Sequence, residues 1–323
     1  MILAGDIGGT KTLLGLFDPS RDRPTVVHSV AYSTLAYADL TDIIARFLEE
    51  ERVGGASITD ACFGVAGPVI DEAAELTNVP WRVDARKVAR AFRLRRVNLL
   101  NDLEAMGYSV PVLRDDEVLV LQNGDPVDGG NIGLIAAGTG LGEALLHNVG
   151  GRFIPSPSEG GHADFAARTE RDVGLLRHLT ARYGRADVEH VVSGRGLVNI
   201  HRYLHQKPCA AGIPIGDPDA PPAISAAALD RRCEDCVATL DLLVEAYGAE
   251  AGNLALRGVT TGGLFVGGGI APKILPLMTS GAFMRAFRAK PPLGPMLERM
   301  PVKIILNAQA GLLGAAVFLR YDS

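Results

Sequence analysis

The amino-terminal segment, Met1 to Thr12, reads MILAGDIGGTKT and constrains this chain more than any other part of it. Apolar runs at 2–4 and 13–17 flank a glycine-rich turn, so the segment predicts a β-hairpin with an open tip. Glycines tolerate positive φ and expose backbone N–H groups, and a concave run of such amides binds phosphate oxygens. Gly5, Asp6, Ile7, Gly8, Gly9 and Thr10 are therefore candidates for a phosphate loop, with the Thr10 hydroxyl as an added donor. Asp6 falls at a strand end, where a carboxylate can hold Mg²⁺ directly or through water. The same residues also fit an ordinary tight hairpin with Asp6 capping its turn. The Walker A pattern GxxxxGK[ST] is absent from this turn.

The outline of strand, Gly-Thr turn and strand returns near residue 135, as IAAGTGLGEALLH. Gly138 and Thr139 form its turn and are a second phosphate-binding candidate. Two copies about one domain apart predict two related domains. A third cluster, GGLFVGGGI, ends a strand at 262–269 and opens a helix. Gly267, Gly268 and Gly269 offer a small-residue surface for a flat base or ribose, or close packing of helix on strand. The pattern is not GxGxxG.

Strand-like and helix-like runs alternate along the chain, which indicates an α/β fold. Strands are expected at 25–31, 61–66 and 97–100, with helices at 40–50 and 85–92. A second series places strands at 132–137, 143–148, 262–269 and 302–306. Residues 166–182, 193–206, 224–257 and 310–319 carry helical spacing. The Pro-, Gly- and Asp-rich stretch 209–222 reads as a loop. At 323 residues the chain has room for two domains.

Charge narrows the partners. Thirty-two basic against 37 acidic residues leave a net charge of −5, without the basic balance that nucleic-acid binding requires. No apolar run reaches membrane-spanning length. The amino terminus lacks the basic region, apolar stretch and cleavage site of a signal peptide, so the reading is cytoplasmic. Four cysteines are too few for a disulfide framework in a chain this long.

Three groups of residues could do chemistry. Asn101-Asp102 follows an apolar strand, and α/β sheets place their ligands at such carboxyl-terminal strand ends. A carboxylate there can orient a hydroxyl and accept its proton during phosphoryl transfer, or Asp102 can simply cap the next helix. Glu159 and His162, around two glycines in SEGGHADF, suit a polyhydroxyl ligand, and Glu189 adds an acceptor. A metal at Glu159, His162 and Asp164 lacks a further ligand at zinc spacing. Finally, Cys233-Glu-Asp-Cys236 is a lone CxxC in a helical run and reads as two packed helix residues.

Eight ordered blocks resemble one known family. They are LAGDIGGT, LTNVPW (76–81), LLNDLEAMGYSVP (99–111), AAGTGLGEA, SEGGHADFA, EHVVSGRGLVNIHRYL (189–204), GNLALRGVTTGGLFVGGGIAPKIL (252–275) and NAQAGLLGAA. Together they are similar to the bacterial glucokinases, of proteobacterial and cyanobacterial type, within the hexokinase–actin ATPase superfamily.

The resemblance implies a two-domain actin-like ATPase, ribonuclease H-like, with an interdomain cleft. It implies a small domain from 1–110 plus about 303–323, and a large one from 111–302. The implied reaction is ATP-dependent phosphorylation of D-glucose at its 6-hydroxyl, feeding glycolysis. The alternatives are another hexose, such as mannose or glucosamine, or a non-catalytic sugar-responsive regulator. Asp102 resembles the general base, and Asn101, Glu159, His162 and Glu189 the sugar-binding set. Gly5 to Thr10 resembles the first phosphate loop, Gly138 and Thr139 the second, and Gly267 to Gly269 the adenosine side. Mg²⁺ is expected with ATP, near Asp6. A homodimer is expected. The related repressor–kinase group carries a cysteine-rich zinc motif after its His, and this chain has no cysteine between Cys62 and Cys209, so no structural zinc is expected. The loop at Asn307-Ala308-Gln309-Ala310 also departs from the family pattern.

Overall fold

The computed structural model of the chain describes residues 1–19, 23–50, 58–76 and 79–321. Thr77 and Asn78 of the 76–81 block lie outside the described residues. The chain divides into two compact units. One holds Met1–Asp115, Phe153–Pro157 and Asn307–Ser323, the other Asp116–Arg152 and Ser158–Leu306.

The first unit is built on the opening hairpin. Strand Ile2–Ile7 pairs antiparallel with Lys11–Asp18, in the register Ile7 to Thr12 and Gly5 to Leu14. On its other edge it runs parallel to Asp60–Val65, and that strand runs parallel to Arg96–Asn101. Thr25–Ser33 completes the sheet outside the hairpin. The central strand is buried on both faces, the signature of a sheet covered by helices on each side. Leu3 and Ile7 join Leu40, Ile43, Ile44 and Phe47 of helix Leu40–Glu50. Ile2 and Ala4 join Ala105 of helix Asp102–Ser109 and Leu312, Ala315 and Ala316 of helix Ala310–Tyr321. Each fully buried large side chain contributes roughly 1.5–3 kcal/mol relative to exposure.

The second unit repeats the plan. Ile132–Ala137 pairs antiparallel with Leu141–Val149 and parallel with Gly263–Gly267, which runs parallel to Val302–Ile305. An edge strand, Val118–Gln122, pairs antiparallel with the last of these. The order hairpin arm, central strand, parallel strand, parallel strand is thus common to both units, as the repeated Gly-Thr turn predicts. The long helix Glu234–Gly258 crosses this sheet. Its Tyr247, fully buried, accepts the Ala137 N–H at 3.1 Å, and its hydroxyl lies 3.3 Å from the Gly267 carbonyl. One side chain therefore ties together the two strand ends from which the second and third glycine clusters emerge.

Two differences from the sequence reading concern this unit. The helical run 224–257 is two helices, Pro221–Leu229 and Glu234–Gly258, broken where Arg231 takes positive φ. Cys233 is the residue before the second helix, not an interior residue of it.

Candidate active site

Each unit presents its own set of candidate residues. In the first, the hairpin turn closes through Gly8 N–H to the Lys11 carbonyl at 3.0 Å. Thr34 braces the turn, donating its hydroxyl to the Gly8 carbonyl at 2.8 Å and its N–H to the Thr10 carbonyl at 3.0 Å. Thr10 is exposed at the tip. Gly8 does not adopt positive φ, contrary to the expectation for this turn; its backbone closes the hairpin in an ordinary conformation.

Asp6, one residue before the end of the strand, has its pKa pushed up to about 6. Desolvation is the main cause, followed by the charge of Asp102, with Lys11 acting in the opposite sense. Gly311, in the first turn of the last helix, lies beside it: a Cβ there would stand 2.9 Å from Asp6 Oδ2.

Asp102 does not cap its helix. The capping residue is Asn101, whose Oδ1 accepts the N–H groups of Leu103 at 3.0 Å and Glu104 at 3.4 Å, with Glu104 completing a capping box. Asn101 Nδ2 donates to the Gly67 carbonyl at 3.4 Å. The cap leaves Asp102 as the first helical residue, exposed at its start, with Oδ1 accepting the Leu103 N–H at 2.9 Å.

In the second unit three segments converge. Gly138 N–H closes the turn onto the Gly140 carbonyl at 2.8 Å, and Gly194 N–H reaches the Gly138 carbonyl at 2.9 Å. Glu189 Oε2 accepts the Leu141 N–H at 2.9 Å, while Glu189 N–H bonds the Gly161 carbonyl at 2.8 Å. Thus the second glycine turn, the loop bearing Glu159 and His162, and the segment from Glu189 to Gly194 form one hydrogen-bonded patch. Ile270 N–H bonds the Ala137 carbonyl at 3.2 Å, which brings the third cluster onto the same strand end. Gly268 must be glycine there: its φ is +80° and a Cβ would stand 2.3 Å from the Ala137 carbonyl oxygen.

Glu159 and His162 are both exposed. Sequence reasoning missed what holds the histidine. Asp187, buried, places Oδ2 3.3 Å from His162 Nδ1 and accepts the His190 N–H on Oδ1 at 2.8 Å. With Nδ1 engaged, Nε2 is the ring atom left for a ligand. The nearby Asp164 is paired with Arg185 at 2.8 Å, so it is not part of a metal cluster with Glu159 and His162.

A second missed residue lies beneath the loop. Glu143, almost fully buried, approaches Gly160 so closely that a Cβ on that glycine would stand 2.2 Å from Glu143 Oε2. The Glu143 carboxyl is pushed up to about 8 by desolvation and by Glu250, with Arg257 in partial opposition.

Two hairpin-bearing α/β units of common strand order, with carboxylates at strand ends and a His–carboxylate patch, define the sugar-kinase branch of the actin-like ATPase fold. A family model described as Glucokinase matches residues 3–322. A glucokinase of Nostoc punctiforme is 41% identical over 98% of each chain, and one of Cronobacter sakazakii is 35% identical over 98% of this chain and 96% of its own. The crystal structure of a glucokinase from an Antarctic psychrotroph shares 28% identity, covers 99% and 98% of the two chains, and superposes with a TM-score of 0.85. The chain belongs to the glucokinase family.

Proposed function

We propose that this chain transfers the γ-phosphoryl group of ATP to the 6-hydroxyl of D-glucose, giving glucose 6-phosphate and ADP. The observation that carries the reading is the division of labour between Asn101 and Asp102. Asn101 is the capping residue, and the Asp102 carboxylate stands exposed one residue after the strand end, with Oδ1 on the Leu103 N–H. In the reaction Asp102 accepts the proton of the 6-hydroxyl as its oxygen bonds the γ-phosphorus and the bond to the ADP oxygen breaks. Little covalent chemistry falls to the protein, so positioning supplies most of the rate.

Glu159, His162 and Glu189 take the sugar hydroxyls. Glu189 uses the lone pairs not given to Leu141, His162 uses Nε2, and Asn101 adds the remaining Nδ2 hydrogen. The turns at Gly5 to Thr10 and Gly138-Thr139 receive the phosphates, and Gly267 to Gly269 the adenosine. Asp6 fits a Mg²⁺ ion carried with ATP: its desolvated carboxylate already feels the charge of Asp102, a pair that favours a cation between nucleotide and protein. Such an ion neutralises charge on the phosphate oxygens. The enzyme acts in the cytoplasm at the entry to glycolysis, as a homodimer.

Asp102→Asn tests the assignment. The variant is expected to keep its fold and its glucose affinity, measured by calorimetry, while kcat falls by ~10²–10⁴, the range of a lost general base. Turnover near that of the parent protein would remove Asp102 from this role.

A further inference from the structure

We propose that His205, Cys209, Cys233 and Cys236 form a structural zinc site in the second unit, remote in sequence from the residues assigned to catalysis. All four are buried. Cys209 Sγ lies 3.7 Å from Cys233 Sγ and 3.7 Å from Cys236 Sγ, and Cys233 Sγ lies 3.5 Å from His205 Nε2. Donor atoms of His205, Cys209 and Cys236 fall within 4.8 Å of one another, and a donor atom of His201 falls within the same distance of all three.

These separations are not those of a disulfide, whose sulfurs stand about 2.05 Å apart. They are the edges of a tetrahedron around zinc. With Zn–S of about 2.3 Å and Zn–N of about 2.0–2.1 Å, sulfur–sulfur edges come to about 3.7 Å and sulfur–nitrogen edges to about 3.5 Å. Three thiolates with one imidazole are a donor set suited to zinc, and closed four-ligand sites of this kind are structural.

The surroundings also fit. His205 Nδ1 donates to the His201 carbonyl at 2.8 Å, which leaves the lone pair of Nε2 directed among the sulfurs. That backbone bond is the usual outer support of a zinc-bound histidine. Asp235 Oδ2 is 4.0 Å from Nε2 but its side chain is half exposed, outside the buried cluster. The His201 ring lies against His205, tilted by 39° with centroids 3.8 Å apart, and both of its nitrogens are buried without a hydrogen-bond partner. A surface hollow of about 490 Å³, lined by His205, Pro208, Cys209 and Ile213 among others, gives an ion a way in.

The site would cross-link elements that already share one buried core, with Leu197 and Ile200 of one helix and Leu240 and Leu243 of the other in the same cluster as the cysteines. His205 ends helix Gly194–Leu204, Cys209 lies in the following loop, Cys233 precedes helix Glu234–Gly258 and Cys236 sits in its first turn. On binding, three thiol protons leave as three Zn–S bonds form, and the resulting single negative charge faces the positive end of the long helix. The sequence reading expected no structural zinc because the cysteine-rich motif of the repressor–kinase group is missing between Cys62 and Cys209, and it took the lone CxxC for two packed helix residues. The partners of CxxC are instead a His-x₃-Cys element 24 residues before it, between Cys209 and Cys233.

Metal analysis of the protein purified without chelators is expected to give about one zinc per chain. Cobalt exchanged into the site is expected to show thiolate-to-cobalt charge-transfer absorption and the intense visible bands of a tetrahedral ion. Cys233→Ser and His205→Ala are expected to lose the metal, and His201→Ala to keep it. A parent protein that carries no zinc and takes up neither zinc nor cobalt on dialysis would overturn the site, even if every variant fails to fold. So would a mass deficit of two hydrogens showing a Cys209 disulfide, or a metal that proves to be iron. Zinc retained in Cys233→Ser and lost in His201→Ala would overturn this ligand set.

Discussion

Gly138 separates the needs of the fold from the needs of the chemistry. A Cβ at this position would meet nothing within 4 Å, and its φ is not positive, so the fold tolerates alanine there. If the turn receives phosphate oxygens, that methyl group intrudes on the nucleotide instead. Gly138→Ala is therefore expected to leave the melting temperature within about 1 °C of the parent and to raise KM for ATP by roughly ten-fold, about 1.4 kcal/mol of lost binding. Unchanged nucleotide kinetics would take this turn out of the phosphate site. Gly268 makes the contrast: its positive φ and the Ala137 carbonyl beneath it already demand glycine, so a substitution there reports on folding and says nothing specific about adenosine. The same separation applies to Asn101 and Asp102. The sequence offered Asp102 as the helix cap, and the structure gives that place to Asn101.

At the scale of elements, the helix that carries Asp102 is set in place by the last helix of the chain. Gly314 lets Ala310–Tyr321 approach Asp102–Ser109 so closely that a Cβ on Gly314 would stand 1.7 Å from the Ala105 carbonyl oxygen. That oxygen is backbone, so no side-chain rotation relieves the clash, and the Asp102 helix itself must move. Gly314→Ala is expected to cost about 1–3 kcal/mol of stability by overpacking and to lower kcat by roughly ten-fold or more. Calorimetry and steady-state kinetics on the same sample check both, and a stable variant with full kcat would refute the coupling. This dependence could not be read from the sequence, because residues 105 and 314 meet only in the fold. Elements with strong periodicity could be read. Helices Leu40–Glu50 and Ala85–Phe92 and strand Ile132–Ala137 fall where their apolar spacing puts them. Short strands such as Val69–Ile70 and Ala73–Glu75 carry too few residues to show a period and owe their form to their partners. The candidate site divides in the same way. The residues proposed to touch substrate stand in compact motifs, whereas Asp187 and Glu143 meet them from segments distant in sequence.

For the molecule as a whole, Glu143 links the stability of the second unit to pH. It stands on the hairpin strand, faces Glu250 of the long helix and lies under Gly160 of the loop that carries Glu159 and His162. Arg257 Nη1 bonds Glu250 at 2.8 Å but stands 3.6 Å from Glu143, so the cation serves Glu250 first. Glu143 therefore keeps its proton in the folded chain to about 8, against an ordinary value of 4.5. Between those two values the folded state binds more protons than the unfolded state. Stability is thus fully present below the unfolded value, declines as pH rises and levels off above the folded value. Gln reproduces the shape of the protonated carboxyl and its hydrogen bond toward Glu250 without a proton to lose. Glu143→Gln is expected to flatten the fall of unfolding free energy across this window, measured by urea titration at a series of pH values, and to be the more stable protein at the alkaline end. Parallel curves for parent and variant would show that Glu143 ionises in the fold as it does in water. The loop that carries Glu159 and His162 rests on this protonated carboxyl, so a loss of glucose affinity that follows the same alkaline limb is expected in the parent and not in Glu143→Gln.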